Sequence, residues 1–171
     1  SVAKSMMATV AGIAVRDGKI PNLDEPVGRL VKDGGYDSPR NSLVTWKMHL
    51  QQETEWEGEM FGKKDDFVGT KAFGEGERKP RELKRPGTFY EYNDVRINRL
   101  GLSLLRTFKE SVPAVFRREV MDVIGASNTW RWALSTSRFV LTPARRPKRV
   151  PSSASSAEAT AFSNASILAP P

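Results

Sequence analysis

The sequence contains no cysteine and a single histidine, His49. The lack of cysteine excludes disulfides, thiol catalysis and cysteine-ligated metals. One histidine excludes a metal site built from several histidines, and it leaves few options for a histidine-based catalytic triad. We therefore expect neither a metal nor a cofactor, and we assign no role to His49.

Long apolar runs are also missing from the sequence. No stretch approaches the roughly 18 to 20 apolar residues that a membrane-spanning helix needs. The apolar residues 6–15 are followed by Arg16, Asp17 and Gly18. We therefore expect no membrane-spanning segment, while localisation and oligomeric state stay open.

The composition is that of one globular domain, because 39% of the 171 residues are hydrophobic and 27% are charged. The net charge of +7 is concentrated at one end, since residues 138–171 contain five arginines and lysines and one glutamate. The basic run at 145–149 has no aromatic neighbours on which bases would stack. We therefore expect no nucleic-acid partner.

Apolar residues recur at three- and four-residue steps, the pattern of helices packed on a core. Helices are predicted, in chain order, over residues 3–15, from a start at 23–26, over 45–52, over 94–110 and over 113–123. Gly18 and Gly125 fit helix ends. Either Ser42 or Thr45 fits the cap of the third helix.

The rest of the chain has little periodicity. Residues 53–87 are polar and glycine-rich, which predicts a long surface excursion. Residues 138–142 form the single strand candidate, and one strand does not make a sheet. The later sequence is rich in Pro, Ser, Ala and Arg and buries too little apolar surface to fold. We predict a mainly α domain over residues 1–134 and a disordered tail over residues 135–171.

Ser1 and Lys4 form an S-x-x-K motif at the beginning of the first predicted helix. This spacing brings a hydroxyl and an amine onto one helix face, and a serine needs such a neighbouring base to become a nucleophile. However, 15 serines and 11 lysines in 171 residues give about one such match by chance. Taken alone, the motif is explained equally well if Ser1 caps the helix and the Lys4 side chain is exposed to solvent.

Further segments follow this motif in a particular order. They read Leu-Val-Thr-Trp at 43–46, Thr-Glu-Trp-Glu-Gly at 54–58, Tyr-Glu-Tyr-Asn-Asp-Val-Arg-Ile-Asn at 90–98 and Ile-Gly-Ala-Ser-Asn-Thr-Trp at 124–130. The series resembles the serine β-lactamase and penicillin-binding-protein superfamily. Within it, the chain is most similar to class C β-lactamase-related esterases and 6-aminohexanoate-dimer hydrolases. The resemblance covers roughly residues 1–132.

The resemblance implies acyl transfer to a serine from a small-molecule amide or ester. Ser1 would attack the carbonyl, Lys4 would take or hold its proton, and Tyr92 would help to pass the proton to the leaving group. Asp94, which stands where the family usually has asparagine, and Trp130 are candidate substrate-binding residues. No metal takes part.

The resemblance also implies the helical portion of a β-lactamase/transpeptidase-like α+β fold, with most of the central antiparallel sheet missing. The third motif of the superfamily, Lys-Thr-Gly or His-x-Gly on a strand, does not occur in residues 93–171. We therefore interpret the chain as an incomplete copy: a fragment of a serine hydrolase whose activity is weak or lost.

Other interpretations stay open at this point. The chain fits a catalytically inactive remnant or a helical binding module that keeps the family's helices. A serine nucleophile that uses its own α-amine as base is chemically allowed. Tyr92 fits aromatic packing as well as catalysis, and the four tryptophans fit either an acyl pocket or core packing: Trp46, Trp56, Trp130 and Trp132.

Overall fold

The computed structural model describes residues 2–64, 81–127, 129–135 and 138–143; for the strands at 130–135 and 138–143 it describes the backbone. Within these residues the fold is mainly helical. The helices are α1 (Val2–Arg16), α2 (Trp46–Gln51), α3 (Asp94–Phe108) and α4 (Val112–Phe116). Two antiparallel hairpins pair β1 (Glu59–Met60) with β2 (Lys63–Lys64), and β3 (Trp130–Ser135) with β4 (Arg138–Pro143).

Helix α1 confirms the predicted helix over residues 3–15. Its buried face includes Met7, Val10 and Ala14, and it packs against α3 and α4. Gly18 lies two residues beyond the end of the helix and has a φ of +67°. The Gly18 amide donates to Val15 at 3.0 Å and the next amide donates to Ala14 at 2.8 Å. This pattern is a Schellman motif, in which glycine is favoured because the left-handed conformation costs it little.

Helix α3 also agrees with the sequence, within two residues of the predicted end. Asn93 caps its first turn, and its side chain accepts a hydrogen bond of 2.8 Å from the Arg96 amide. Leu100 and Leu104 are fully buried. Lys109 ends the helix in the left-handed conformation. The helix therefore has both a polar cap and the apolar stripe that its sequence predicts.

The remaining predicted helices differ in extent. The helix start at 23–26 leads only to a 3-10 turn at Val27–Arg29, and the Val27 amide donates to the Val44 carbonyl at 2.9 Å. Thr45 rather than Ser42 caps α2. The helix predicted over 113–123 is present as α4 followed by a π-helical turn at Arg117–Met121.

The hairpin of β3 and β4 corrects the expectation that a single strand would stand alone. The predicted strand at 138–142 is present, and residues 130–135 pair with it. In β3, Trp130 and Trp132 alternate with Arg131, a period of two that predicts a strand. The hairpin crosses the predicted domain boundary after residue 134. Residues 144–171 lie outside the described residues, so the domain division stays a prediction.

No helix within the described ranges combines the length and the apolar character needed to cross a bilayer.

Residues 53–60 correct the predicted surface excursion. Trp56 and Met60 belong to the hydrophobic core, and the Glu55 side chain is fully buried. The rest of the excursion includes residues 65–80, which lie outside the described residues. A polar, glycine-rich composition predicted exposure here, but a buried carboxylate is tolerated where cations and donors surround it.

This carboxylate forms a network with three other charged residues, Arg81, Glu91 and Arg96. Arg81 donates to both oxygens of Glu55, at 2.6 and 2.7 Å. Arg96 donates to Glu55 and Glu91, at 2.8 Å each. Burial favours the neutral acid, but the hydrogen bonds from Arg81 and the Lys84 amide and the charge of Arg96 outweigh it and hold the pKa of Glu55 below its usual range. The Glu55 network thus ties residues 53–57 and 81–91 to α3.

A second buried polar group lies at His49. Its Nε2 atom is 2.8 Å from the Tyr36 hydroxyl, which also contacts the Ser103 hydroxyl at 2.7 Å. Burial, together with the positive charge of Arg99, lowers the pKa of His49 to about 3. His49, which the sequence left without a role, is therefore a neutral core residue.

Removing the charge of Glu55 is predicted to destabilise the fold. Glu55→Gln keeps the side-chain shape but leaves Glu91 as the one carboxylate that Arg81 and Arg96 share in this network, and we expect a loss of about 3 kcal/mol in unfolding free energy. The matched control is Glu57→Gln, an exposed residue two positions away, with an expected change within about 0.5 kcal/mol. Urea denaturation measures both, and equal losses would contradict the network's role.

The second prediction concerns acid stability. Between pH 6.5 and pH 3 the unfolded chain binds a proton at His49 that the folded chain does not, so stability falls as the pH falls. The contribution of Glu55 is lost only as the pH falls below about 4.5. From pH 7 to pH 5 we expect wild type to lose about 2 kcal/mol more than His49→Gln. Denaturation curves at the two pH values with parallel losses in both proteins would refute this assignment.

Candidate active site

Lys4 reaches from the first turn of α1 to the beginning of α3. Its Nζ atom donates to the Tyr92 hydroxyl oxygen at 2.9 Å and to the Asp94 Oδ1 atom at 2.6 Å. The same atom lies 4.3 Å from the centroid of the Tyr92 ring. The Lys4 side chain is 15% exposed and that of Asp94 is 7% exposed. An ammonium, a phenol and a carboxylate thus meet in a site that is largely shielded from water.

The residues at the beginning of α3 present the phenol and the carboxylate side by side. Tyr92 lies just before the capping residue Asn93, and Asp94 is the first residue of the helix. A carboxylate in the first turn is stabilised by the positive end of the helix dipole. The cap therefore fixes where the backbone turns into the helix, and with it the separation of the two groups that Lys4 contacts.

Gln52 and Glu91 hold the chain on either side of Tyr92. The Glu91 amide donates to the Gln52 carbonyl at 3.0 Å, and the Asn93 amide donates to the Gln52 side chain at 3.4 Å. The Glu91 carboxylate is bound by Arg96. Sequence reasoning missed these supports, because contacts between residues some 40 positions apart leave no periodic signal.

The arrangement is suited to proton handling rather than to metal chemistry. The Lys4 ammonium donates to two oxygens, so any negative charge that develops on the Tyr92 oxygen lies beside a cation. A phenol can both accept and donate a proton, whereas a carboxylate only accepts hydrogen bonds. Within the described residues, no group of three potential ligands is close enough to hold a metal ion.

The structure brings together three of the five residues that the sequence singled out. Lys4 is in direct contact with both Tyr92 and Asp94. Ser1 and the side chain of Trp130 lie outside the described residues, so their roles stay predictions.

The tryptophans at 46 and 56 pack in the core rather than around this site. Trp46 is 1% exposed and Trp56 is 4% exposed. The Trp56 indole N–H donates to the Gly35 carbonyl at 2.7 Å. The alternative of core packing therefore holds for these two, while the side chain of Trp132 lies outside the described residues.

Comparisons with protein-family models, with curated proteins and with solved structures find no match to this chain. The resemblance of its motifs to the serine β-lactamase superfamily therefore stays a hypothesis.

A double-mutant cycle tests the contact between the two helices. Lys4→Met and Asp94→Asn, made singly and together, are expected to show a coupling of about 1–2 kcal/mol in unfolding free energy, because the pair is shielded from water. The control cycle uses Lys47 and Asp24, an ion pair of 3.3 Å whose side chains are 52% and 67% exposed. We expect its coupling to stay below about 0.5 kcal/mol. Equal couplings would argue against a shielded site.

Proposed function

We propose that this chain is part of a serine hydrolase of the β-lactamase type that cleaves amide or ester bonds through an acyl-enzyme on Ser1. The supporting observation is the 2.9 Å contact of Lys4 Nζ with the Tyr92 hydroxyl, between residues 88 positions apart. The motif resemblance independently implies that these two groups share one proton path. Ser1 enters the proposal through its sequence spacing, three residues before Lys4.

In the proposed reaction, the Ser1 hydroxyl oxygen forms a bond to the substrate carbonyl carbon, and its proton passes to the Tyr92 oxygen, which in the reacting form is deprotonated and lies beside the Lys4 ammonium. The tetrahedral intermediate collapses, the bond to the leaving nitrogen or oxygen breaks, and the leaving group takes the proton from the Tyr92 hydroxyl. Water then attacks the acyl-enzyme ester, releasing the acid and restoring the serine.

Lys4 and Tyr92 have different parts in this scheme. The phenol oxygen carries the proton, and the ammonium stabilises the negative charge that develops on that oxygen during transfer. Such stabilisation is strongest where water is excluded, and the Lys4 side chain is 15% exposed.

At position 94 this chain has an aspartate where the superfamily that it resembles usually has an asparagine. A carboxylate accepts hydrogen bonds but cannot donate one to a substrate carbonyl, as an asparagine amide can. It also binds Lys4 at 2.6 Å. We therefore expect slow acylation in the wild-type chain.

The same ion pair favours the second candidate, a catalytically inactive remnant or helical binding module. In that case the contact of Lys4 with Asp94 serves only to hold α1 on α3, and the phenol is a packing group. The two candidates differ in whether any electrophile becomes attached to Ser1.

A fluorescent phosphonate probe and a fluorescent penicillin distinguish the candidates. We expect wild type to be labelled, Ser1→Ala to show no labelling, and Tyr92→Phe to be labelled about 100-fold more slowly, because it cannot relay a proton. Lys4→Met removes the ammonium that stabilises negative charge on the Tyr92 oxygen, and we expect a similar loss. Asp24→Asn, at a distant exposed ion pair, is expected to leave labelling unchanged.

Asp94→Asn restores the usual family residue, and the proposal expects faster labelling than in wild type. Circular dichroism on each variant checks that it is folded. A folded wild type and a folded Asp94→Asn variant that both resist labelling would support the remnant instead.

A further inference from the structure

The turn between β1 and β2 has an unusual first residue. Phe61 and Gly62 join the two strands, in which Glu59 is paired with Lys64. Both turn residues have a positive φ, +54° for Phe61 and +70° for Gly62. A two-residue hairpin turn with two positive φ values favours asparagine followed by glycine, because a bulky side chain strains the left-handed conformation. Phenylalanine is therefore an unfavourable residue for this turn.

The Phe61 side chain does not offset this strain by burial in the core. It is 61% exposed, whereas its neighbour Met60 belongs to the hydrophobic core. Backbone outliers of this kind cluster at binding and catalytic sites. Aromatic residues are also enriched in protein–protein interfaces relative to the rest of the surface. The turn therefore presents an aromatic ring that is suited to contact with a partner.

A cavity of about 500 Å³ lies directly beside this turn. Glu59 and Met60, the two residues before Phe61, line the cavity, and Trp56 and Leu102 contribute apolar atoms to its wall. The volume is larger than that of a phenylalanine side chain. Phe61 is not among the lining residues, so its ring lies outside the cavity, next to the cavity rim.

An exposed ring next to a cavity makes this surface complementary to itself. A twofold axis that lies in the interface, between ring and cavity, brings the ring of each copy to the cavity of the other, so that both contacts form together. We propose that this surface forms a symmetric dimer of the chain, in which the Phe61 ring of each copy occupies the cavity of the other copy. The proposal does not depend on the proposed hydrolase activity.

The charges on this surface fit a second copy of the chain. Glu57 and Glu59 are exposed and negative, and Lys64 is exposed and positive on the same hairpin. A surface of one sign would repel its own copy, whereas a surface with both signs pairs opposite charges across a twofold axis. An anionic lipid bilayer is a poorer occupant, because its headgroups repel the two glutamates. One turn and one cavity form a small interface, which predicts a weak and reversible dimer.

Sedimentation velocity of the full chain at physiological salt, from about 10 µM to about 500 µM, tests the dimer. We expect a reversible monomer–dimer equilibrium with a Kd on the order of 100 µM. Phe61→Asn removes the ring and is expected to weaken association at least about tenfold. The matched control is Tyr90→Asn, which removes a ring that is 60% exposed and lies outside the cavity lining. We expect this control to associate like wild type.

Urea denaturation of the monomer separates a contact between copies from a role in the fold. At about 5 µM, where the wild type is monomeric, association does not contribute to stability. Phe61→Asn supplies the residue that the turn favours, so we expect the urea midpoint to stay the same or to rise. A lower midpoint would assign the ring to the fold of its own chain and would contradict the proposal.

An NMR mixing experiment locates the contact, because Phe61→Asn lacks the ring but keeps the cavity. Excess unlabelled wild type is added to isotope-labelled Phe61→Asn, and we expect shifts of the Trp56 indole N–H and the Leu102 amide. Unlabelled Phe61→Asn is expected to leave both signals unchanged.

Several results would overturn the proposal: a wild type that stays monomeric over the whole concentration range, assemblies larger than a dimer, equal association in wild type and Phe61→Asn, equal weakening in Tyr90→Asn, or no shifts at the cavity. None of these readouts requires Ser1, so they stand apart from the labelling experiment.

Discussion

The two hydrogen bonds of the Lys4 ammonium connect the first turn of α1 with the beginning of α3. An ammonium that is shielded from water needs hydrogen-bond acceptors. Both acceptors of Lys4 lie at the beginning of α3. Its contact with Tyr92 and Asp94 therefore sets how the ends of the two longest helices meet. The same contact assembles the groups on which the proposed chemistry rests, so packing and candidate function share one interaction.

Support for this contact comes from the segment between α2 and α3. Gln52 ends α2 in the left-handed conformation and bonds to the backbone on both sides of Tyr92. The Glu55 network then fixes Glu91 through Arg96. Glu55, Glu91 and Arg96 are buried and paired with one another. Removing one of them leaves a buried charge without its counterion, which destabilises the fold. The position of the Tyr92 hydroxyl is therefore set by residues that do not touch it.

The sequence predicted the parts of the fold that depend on local patterns. Helices α1 and α3, the Gly18 end and the Thr45 cap follow from apolar spacing and from the chemistry of helix ends. The convergence of Lys4, Tyr92 and Asp94 followed from the family resemblance. The burial of Glu55 could not be predicted, because it depends on two arginines 26 and 41 positions away. The β3–β4 hairpin was missed because Trp130 and Trp132 were interpreted as pocket or core residues, so their alternation with Arg131 was not used to predict a strand.

The most direct test of this account is a nuclear Overhauser effect between the Lys4 side chain and the Tyr92 ring. The Nζ atom lies 4.3 Å from the ring centroid, so the protons on the adjoining carbon should give cross-peaks to the ring protons. Tyr92→Phe retains the ring and serves to assign them. The account predicts cross-peaks from Lys4 to ring 92 in the folded wild type. A well-dispersed spectrum in which the Lys4 side chain shows contacts only within its own helix would contradict it.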